Sequence, residues 1–206
     1  SAVTGLASDD IDDITTLLTA AADDTKFANG SFENLATVVV ADTSLTATEL
    51  TDAIDDANTV TGTTDTVFTI TAVDTITGSE AHFSDLLDDE TAEQISITDQ
   101  ALTVTGEISV ANANLLNGTT AGTVTATIDA GTRVDDLKTL NGSNAYTITI
   151  DNADATGSTA TEFNAIDSAT TVAIDASAVT GLASDDIDDI TTLLLSLIHI
   201  SEPTRP

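Results

Sequence analysis

No cysteine occurs in the 206 residues, so a disulfide framework and thiolate chemistry are both excluded. Aromatic residues are scarce, at 3%; a core built from this chain must come from Ile, Leu, Val and Ala. Basic residues are scarcer still relative to acids. Four Lys and Arg face 35 Asp and Glu, for a net charge of −31. Nucleic acids and anionic membranes both require basic patches, so neither is an expected partner. No apolar run approaches the roughly 18 to 20 residues that a membrane span needs, so no membrane insertion is expected. Before residue 195 there is one histidine, His82, and Walker A, dinucleotide-binding and His-Glu-x-x-His patterns are missing. A lone His without a base or second ligand reads as a surface residue on a helix flank, and no enzyme is expected.

What the chain does have is an acidic excess combined with a 41% apolar fraction. Acidic chains poor in apolar residues stay disordered. Here the apolar residues are regularly spaced, so a folded chain of one or two domains is expected. SAVTGLASDDIDDITTLL, Ser1 to Leu18, recurs letter for letter at Ser177 to Leu194, an offset of 176 residues. Eighteen consecutive identities mark a duplicated long unit. Residues 1–194 then read as one copy and the start of the next, within a larger protein. After Leu194 the match stops. LSLIHISEPTRP, Leu195 to Pro206, carries both prolines and departs from the preceding style. It resembles the translated end of a sequencing adapter, and residues 195–206 are read as a non-native tail and left out of the fold reasoning.

Within the long unit, apolar-alternating strands ending in Asp42, Asp74, Asp99, Asp129, Asp151 and Asp175 recur every 22 to 32 residues. Most are followed by a turn-like triplet: Ile76-Thr77-Gly78, Val104-Thr105-Gly106, Ala155-Thr156-Gly157 or Val179-Thr180-Gly181. Helix starts come next, with Ser8, Thr46, Ser79, Ser109, Thr132, Thr159 and Ser184 as candidate N-caps. Thr46 with Glu49, and Thr159 with Glu162, have capping-box spacing. Ile11, Ile14, Leu17 and Leu18 share one helix face, as do Phe83, Leu86 and Leu87. In the strands, Phe68, Ile70 and Ala72 point one way, as do Val124, Ala126 and Ile128; threonines occupy the positions between. The fold class expected is α/β: a solenoid of strand-turn-helix units with a parallel sheet, helices on its apolar face and an exposed threonine-rich face. An all-β solenoid, with the caps opening mere turns, is the alternative.

The strand-end acids allow two readings. They can make Asx-turns and helix caps. They can also stack into an acidic column that binds calcium, which takes six to eight oxygens from flexible acidic loops. On the second reading Asp129, Asp151, Asp154 and Asp175 are the candidate ligands, although no EF-hand loop is present. The Thr-x-Thr rows permit a third idea. Hydroxyls about 6.6 to 6.8 Å apart along a strand form a flat array of the kind used to bind ice.

The cadence of strand, Asp, small turn, cap and helix is clearest in TVTATIDAGTRVDDLKTLNGSNAYTITIDNAD, Thr123 to Asp154. It resembles the giant acidic Thr/Asp-rich repeat proteins of marine cyanobacteria and other bacteria, which include cell-surface, adhesin and S-layer-like proteins. The resemblance implies a secreted structural or adhesive repeat segment, located outside the cell or on its surface. Its implied partners are neighbouring repeats, other copies of itself, or an extracellular ligand. A calcium-dependent binding module of an adhesin is the alternative. A repeat array cut between units exposes apolar ends, so end-to-end self-association is also expected.

Overall fold

In the computed structural model, residues 3–23, 26–27, 30–151, 155 and 157–197 are described. The chain divides into two compact units, Ser1–Thr105 with Thr119–Gly122, and Gly106–Gly118 with Thr123–Pro206.

The first unit runs β1 (Gly5–Asp9), α1 (Ile11–Ala21), β2 (Thr37–Val40), β3 (Ser44–Thr46), α2 (Ala47–Thr61), β4 (Val67–Thr69), β5 (Thr75–Gly78) and α3 (Glu80–Thr91), then enters β6 (Ala101–Ile108). All its pairings are parallel. β2 lies between β1 and β4, and β5 lies between β3 and β6. Equivalent residues stack in register. Leu45, Ile76 and Leu102 are partners in one inward row, and each is at most 5% exposed. Thr46, Thr77 and Thr103 form the row beside it. α2 packs on α1 and α3 and against β3 and β5. Its buried face is Leu50, Ala53, Ile54 and Ala57, all fully enclosed. A buried Leu or Ile contributes about 1.5–3 kcal/mol each, which a 15-residue helix needs because it is marginal alone.

The second unit contains α4 (Val110–Thr119), β7 (Val124–Ile128), α5 (Val134–Leu137), β8 (Ala145–Thr147), α6 (Ala160–Ala169) and α7 (Ile187–Leu197). β7 and β8 are parallel, with Ala126 opposite Tyr146 and Thr127 opposite Thr147. Single parallel bridges, Asn144 to Thr170 and Thr149 to Asp175, continue the pairing. Burial alternates along β7: Val124, Ala126 and Ile128 are buried, whereas Thr125 and Thr127 are exposed. Tyr146, Ile148 and Ile150 likewise face in, with Thr147 and Thr149 out.

The expected α/β class with parallel strands is therefore present, with seven helices among the described residues, and the all-β alternative is set aside. Several local expectations change. Ile76–Gly78 belongs to β5 and Val104–Gly106 to β6, so these triplets are strand rather than turn. Gly78 closes β5, where an added Cβ would meet the Ala47 methyl at 3.0 Å. Ala72 is exposed in a turn, and Val73 takes the inward place. Asp99 precedes β6 instead of ending a strand. The α1 cap is Asp10, two residues beyond Ser8, because β1 pairing extends to Asp9. In the duplicate, Asp186 accepts the N–H of Asp188 at 2.9 Å, two residues beyond Ser184. Thr132 does not cap α5; its hydroxyl bonds the Asp129 carbonyl instead. Both capping boxes form as expected, at Thr46 with Glu49 and at Thr159 with Glu162.

Candidate functional site: strand-end carboxylates and threonine faces

Several carboxylates cap helices belonging to neighbouring segments of the chain. The Asp42 carboxylate, just after β2, accepts the N–H of Ile11 at 2.8 Å, at the start of α1. Asp185 does the same for α6, accepting the Thr161 N–H at 2.8 Å and its hydroxyl at 2.9 Å. Helix N-termini carry unsatisfied donors and partial positive charge, so an incoming carboxylate suits them on both counts. The backbone N–H donors of Thr161 and Asp186, with the Thr161 hydroxyl, hold the Asp185 carboxyl below the usual carboxylate range.

The four candidate calcium ligands are placed as follows. Asp129 follows β7; its N–H donates to the Ile108 carbonyl at 3.0 Å and its own carbonyl accepts the Thr132 hydroxyl at 2.7 Å. It lines an open groove of about 430 Å³ together with Asn114, Arg133 and Asp136. Arg133 among the lining residues adds positive charge there, which does not favour a cation. Asp175 is exposed, and the Ser177 hydroxyl and backbone N–H lower its carboxyl. Its main chain pairs with the neighbouring segment: its N–H reaches the Ile148 carbonyl at 2.9 Å, and its carbonyl accepts the Ile150 N–H at 2.8 Å. Asp151 is the next residue along and is exposed. Asp154 lies outside the described residues. The bridge from Asp175 leads to Thr149, so Asp151 stands two residues away from that row. Among the described residues, no three His, Cys, Asp or Glu side chains are grouped closely enough to hold a metal ion.

The threonine faces are partly used within the fold. Thr75 donates its hydroxyl to the Ser44 hydroxyl at 2.8 Å. Thr46 is committed to the α2 capping box. In the row next to it, Ala101 follows Ser44 and Thr75 and has no hydroxyl. His82 is exposed on α3, as its solitary place in the sequence implied.

A buried polar set was not anticipated from the sequence. Three threonines donate hydroxyls to carbonyls of a neighbouring segment: Thr66 to Leu35, Thr120 to Gln100 and Thr170 to Tyr146, at 2.7–2.8 Å. Asn144, 4% exposed, bonds Asn117 Oδ1 through its amide nitrogen at 2.7 Å and accepts the Val124 N–H at 2.9 Å. Asn58 and Gln94 pair amide to amide. A signal did exist for Asn144. Asn114 and Asn117 recur 27 residues on as Asn141 and Asn144, and both matched pairs touch.

Among the described residues, ion pairs form at Lys138. Lys138 reaches Asp135 and Glu162, each at 2.7 Å. These two hydrogen bonds raise the ammonium above its usual range. Asp89 on α3 is pushed up to about 6, first by burial and then by Asp55, Asp88 and Asp85. No nucleophile, base and orienting group converge among these contacts. No protein-family model, curated protein or solved structure matches the chain.

Proposed function

We propose that this chain is a structural or adhesive segment of a larger secreted bacterial protein, a solenoid-like array displayed at the cell surface. The observation that carries the reading is the recurrence of one bonding scheme between neighbouring segments. Thr66, Thr120 and Thr170 each fasten a segment to the preceding carbonyl at nearly the same distance. Asp42 and Asp185 each cap the helix of the segment before. Such nearest-neighbour fastening is how repeat arrays accumulate stability. The exposed threonines of β7 and β8 and the net charge of −31 keep such an array hydrated in a salty medium.

Two measurements test this. Antibodies raised against the chain should label intact source cells; labelling only after lysis overturns the surface placement. Tandem chains of one, two and three 176-residue units should lengthen in proportion in X-ray scattering. A constant length overturns the array.

A further inference from the structure

β4 has an open edge inside the first unit. Val67 donates its N–H to the Ala36 carbonyl at 2.9 Å, and Val67 to Thr69 pair with β2. Main-chain groups alternate in direction along a strand, so Phe68 and Ile70 turn theirs away from β2. The Phe68 N–H meets the Gln94 carbonyl at 2.7 Å. A parallel ladder begun in this way continues in a fixed order. The Ser96 N–H would bond the Phe68 carbonyl, the Ile70 N–H the Ser96 carbonyl, and the Thr98 N–H the Ile70 carbonyl. None of these bonds forms. Among the described residues, the Phe68 carbonyl and the Ile70 N–H have no hydrogen-bond partner.

The segment facing β4 is held by bonds of its own. The Glu90 carboxylate accepts the Ile97 N–H at 3.0 Å. Gln94 is buried and pairs amide to amide with Asn58. Glu93 beside it has φ 62°, a left-handed backbone that residues other than glycine seldom adopt. The Gln100 side chain stands in the last of the missing rungs. Its Oε1 accepts the Thr98 N–H at 2.8 Å, and its Nε2 makes a long contact of 3.4 Å with the Ile70 carbonyl. One amide thus already bridges β4 and the facing segment, and the rung next to it is open. A groove of about 440 Å³ lies there, with Val67, Phe68, Ile70 and Ile95 as its apolar lining and Glu90 and Glu93 as its acidic lining.

We propose that this groove binds an extended peptide bearing lysine or arginine, whose main chain adds to β4 beside the Gln100 amide. One residue of the peptide donates to the Phe68 carbonyl and accepts from the Ile70 N–H, the pair of bonds that a parallel strand makes on either side of Thr69. The carboxylates select the side chain. Glu90 and Glu93 line the groove, and the net charge of −31 draws cationic ligands and repels anionic ones. With four Lys and Arg in the whole chain, another copy is a poor source of such a segment, so the partner is a separate basic polypeptide. Binding here does not depend on where the chain is displayed, and it fails or succeeds separately from cell labelling.

A fluorescent peptide of alternating valine and lysine, titrated with the whole chain at about 0.15 M salt, tests this. Glu93→Lys should weaken binding about fivefold. Glu107→Lys makes the same charge change at an exposed position of β6 and should alter binding by less than about twofold. Methylating the backbone nitrogens of the peptide keeps its charge, removes its N–H donors and should weaken binding about tenfold. In the bound state the Ile70 N–H should exchange with solvent about tenfold more slowly. Equal losses for the two Lys variants, or equal binding of the methylated peptide, would reduce the contact to general charge attraction and overturn the site. An unchanged Ile70 exchange rate overturns the strand pairing. Displacement of the peptide by spermidine at equal concentration would mean that the groove holds a cation without reading a peptide, and overturns it as well.

Discussion

The Asp42 carboxylate accepts the Ile11 N–H across 31 positions of sequence, so a residue that follows one strand fixes where an earlier helix begins. Ile11 sits at the first position of α1, and its donor has no intrahelical partner. Asp42→Ala should lower stability by about 1 kcal/mol, the usual cost of losing a helix cap. Asp42→Asn keeps an acceptor oxygen and should cost less. Urea unfolding of the three proteins checks the order. Equal losses for Ala and Asn would show that charge, rather than the hydrogen bond, matters at this helix end.

Asn144 should be the more sensitive position. Its side chain satisfies the Val124 N–H, bonds Asn117 and receives support from the Tyr146 hydroxyl, all within a buried site. Asn144→Leu strands the Val124 donor and the Asn117 oxygen together. Leaving a buried polar group unpaired costs about 1–3 kcal/mol, so a loss near ~3 kcal/mol is expected in chemical unfolding. Tyr146→Phe removes only a weak pair of bonds, at 3.1 and 3.3 Å, and should cost about 1 kcal/mol.

These two residues also mark how far the sequence can be read. The period of two in Val124–Ile128 was legible because a strand with one wet face must alternate, and both capping boxes were legible because their chemistry is local. Asp42 was legible as an acid after a strand, but its partner was not. The choice between a cap within its own turn and a cap 31 residues away depends on how strands register. Asn144 carried no sequence signal beyond its match to Asn117, and its burial comes from packing between segments. Ser8 lost the cap to Asp10 because Ser8, Asp9 and Asp10 are all competent, and pairing with β2 decided among them. For the candidate ion ligands, type and spacing were visible, while side-chain convergence was not.

Divalent ions give a direct separation between the structural reading and a calcium-dependent module. A chain carrying 35 acids gains from any cation that screens it, whereas a built site at Asp129, Asp151, Asp154 and Asp175 would gain from calcium in particular. Thermal melts in calcium, in magnesium at equal concentration, and in chelator should give equal midpoints for the two ions, both above the chelator value. A ligand that binds only the folded form raises stability with its own affinity. A midpoint in calcium well above that in magnesium would therefore establish the module and displace the purely structural reading. Loss of that excess in Asp129→Asn or Asp175→Asn would then assign the ligands.

Asp89 supplies a pH dependence of opposite sense to the capping acids. Its carboxyl stands at 3.8 when unperturbed and about 6 in the fold, raised by burial and by Asp55, Asp88 and Asp85. Between those values the folded chain binds more protons than the unfolded one, so this group lowers stability as pH rises through the window. The penalty is complete above about 6 and absent below about 3.8. Asp175 and Asp185, held low by their hydrogen bonds, act the other way and lose their contribution as the pH falls below the ordinary carboxylate range. Comparing Asp89→Asn with the parent isolates the first effect. The variant should be more stable at neutral pH, on the order of 1 kcal/mol because water screens a half-exposed carboxylate. The difference should shrink as the pH falls from about 6 to about 3.8 and vanish below it. A constant gain across that range would mean that the introduced amide packs better, with no role for the charge repulsion between α2 and α3.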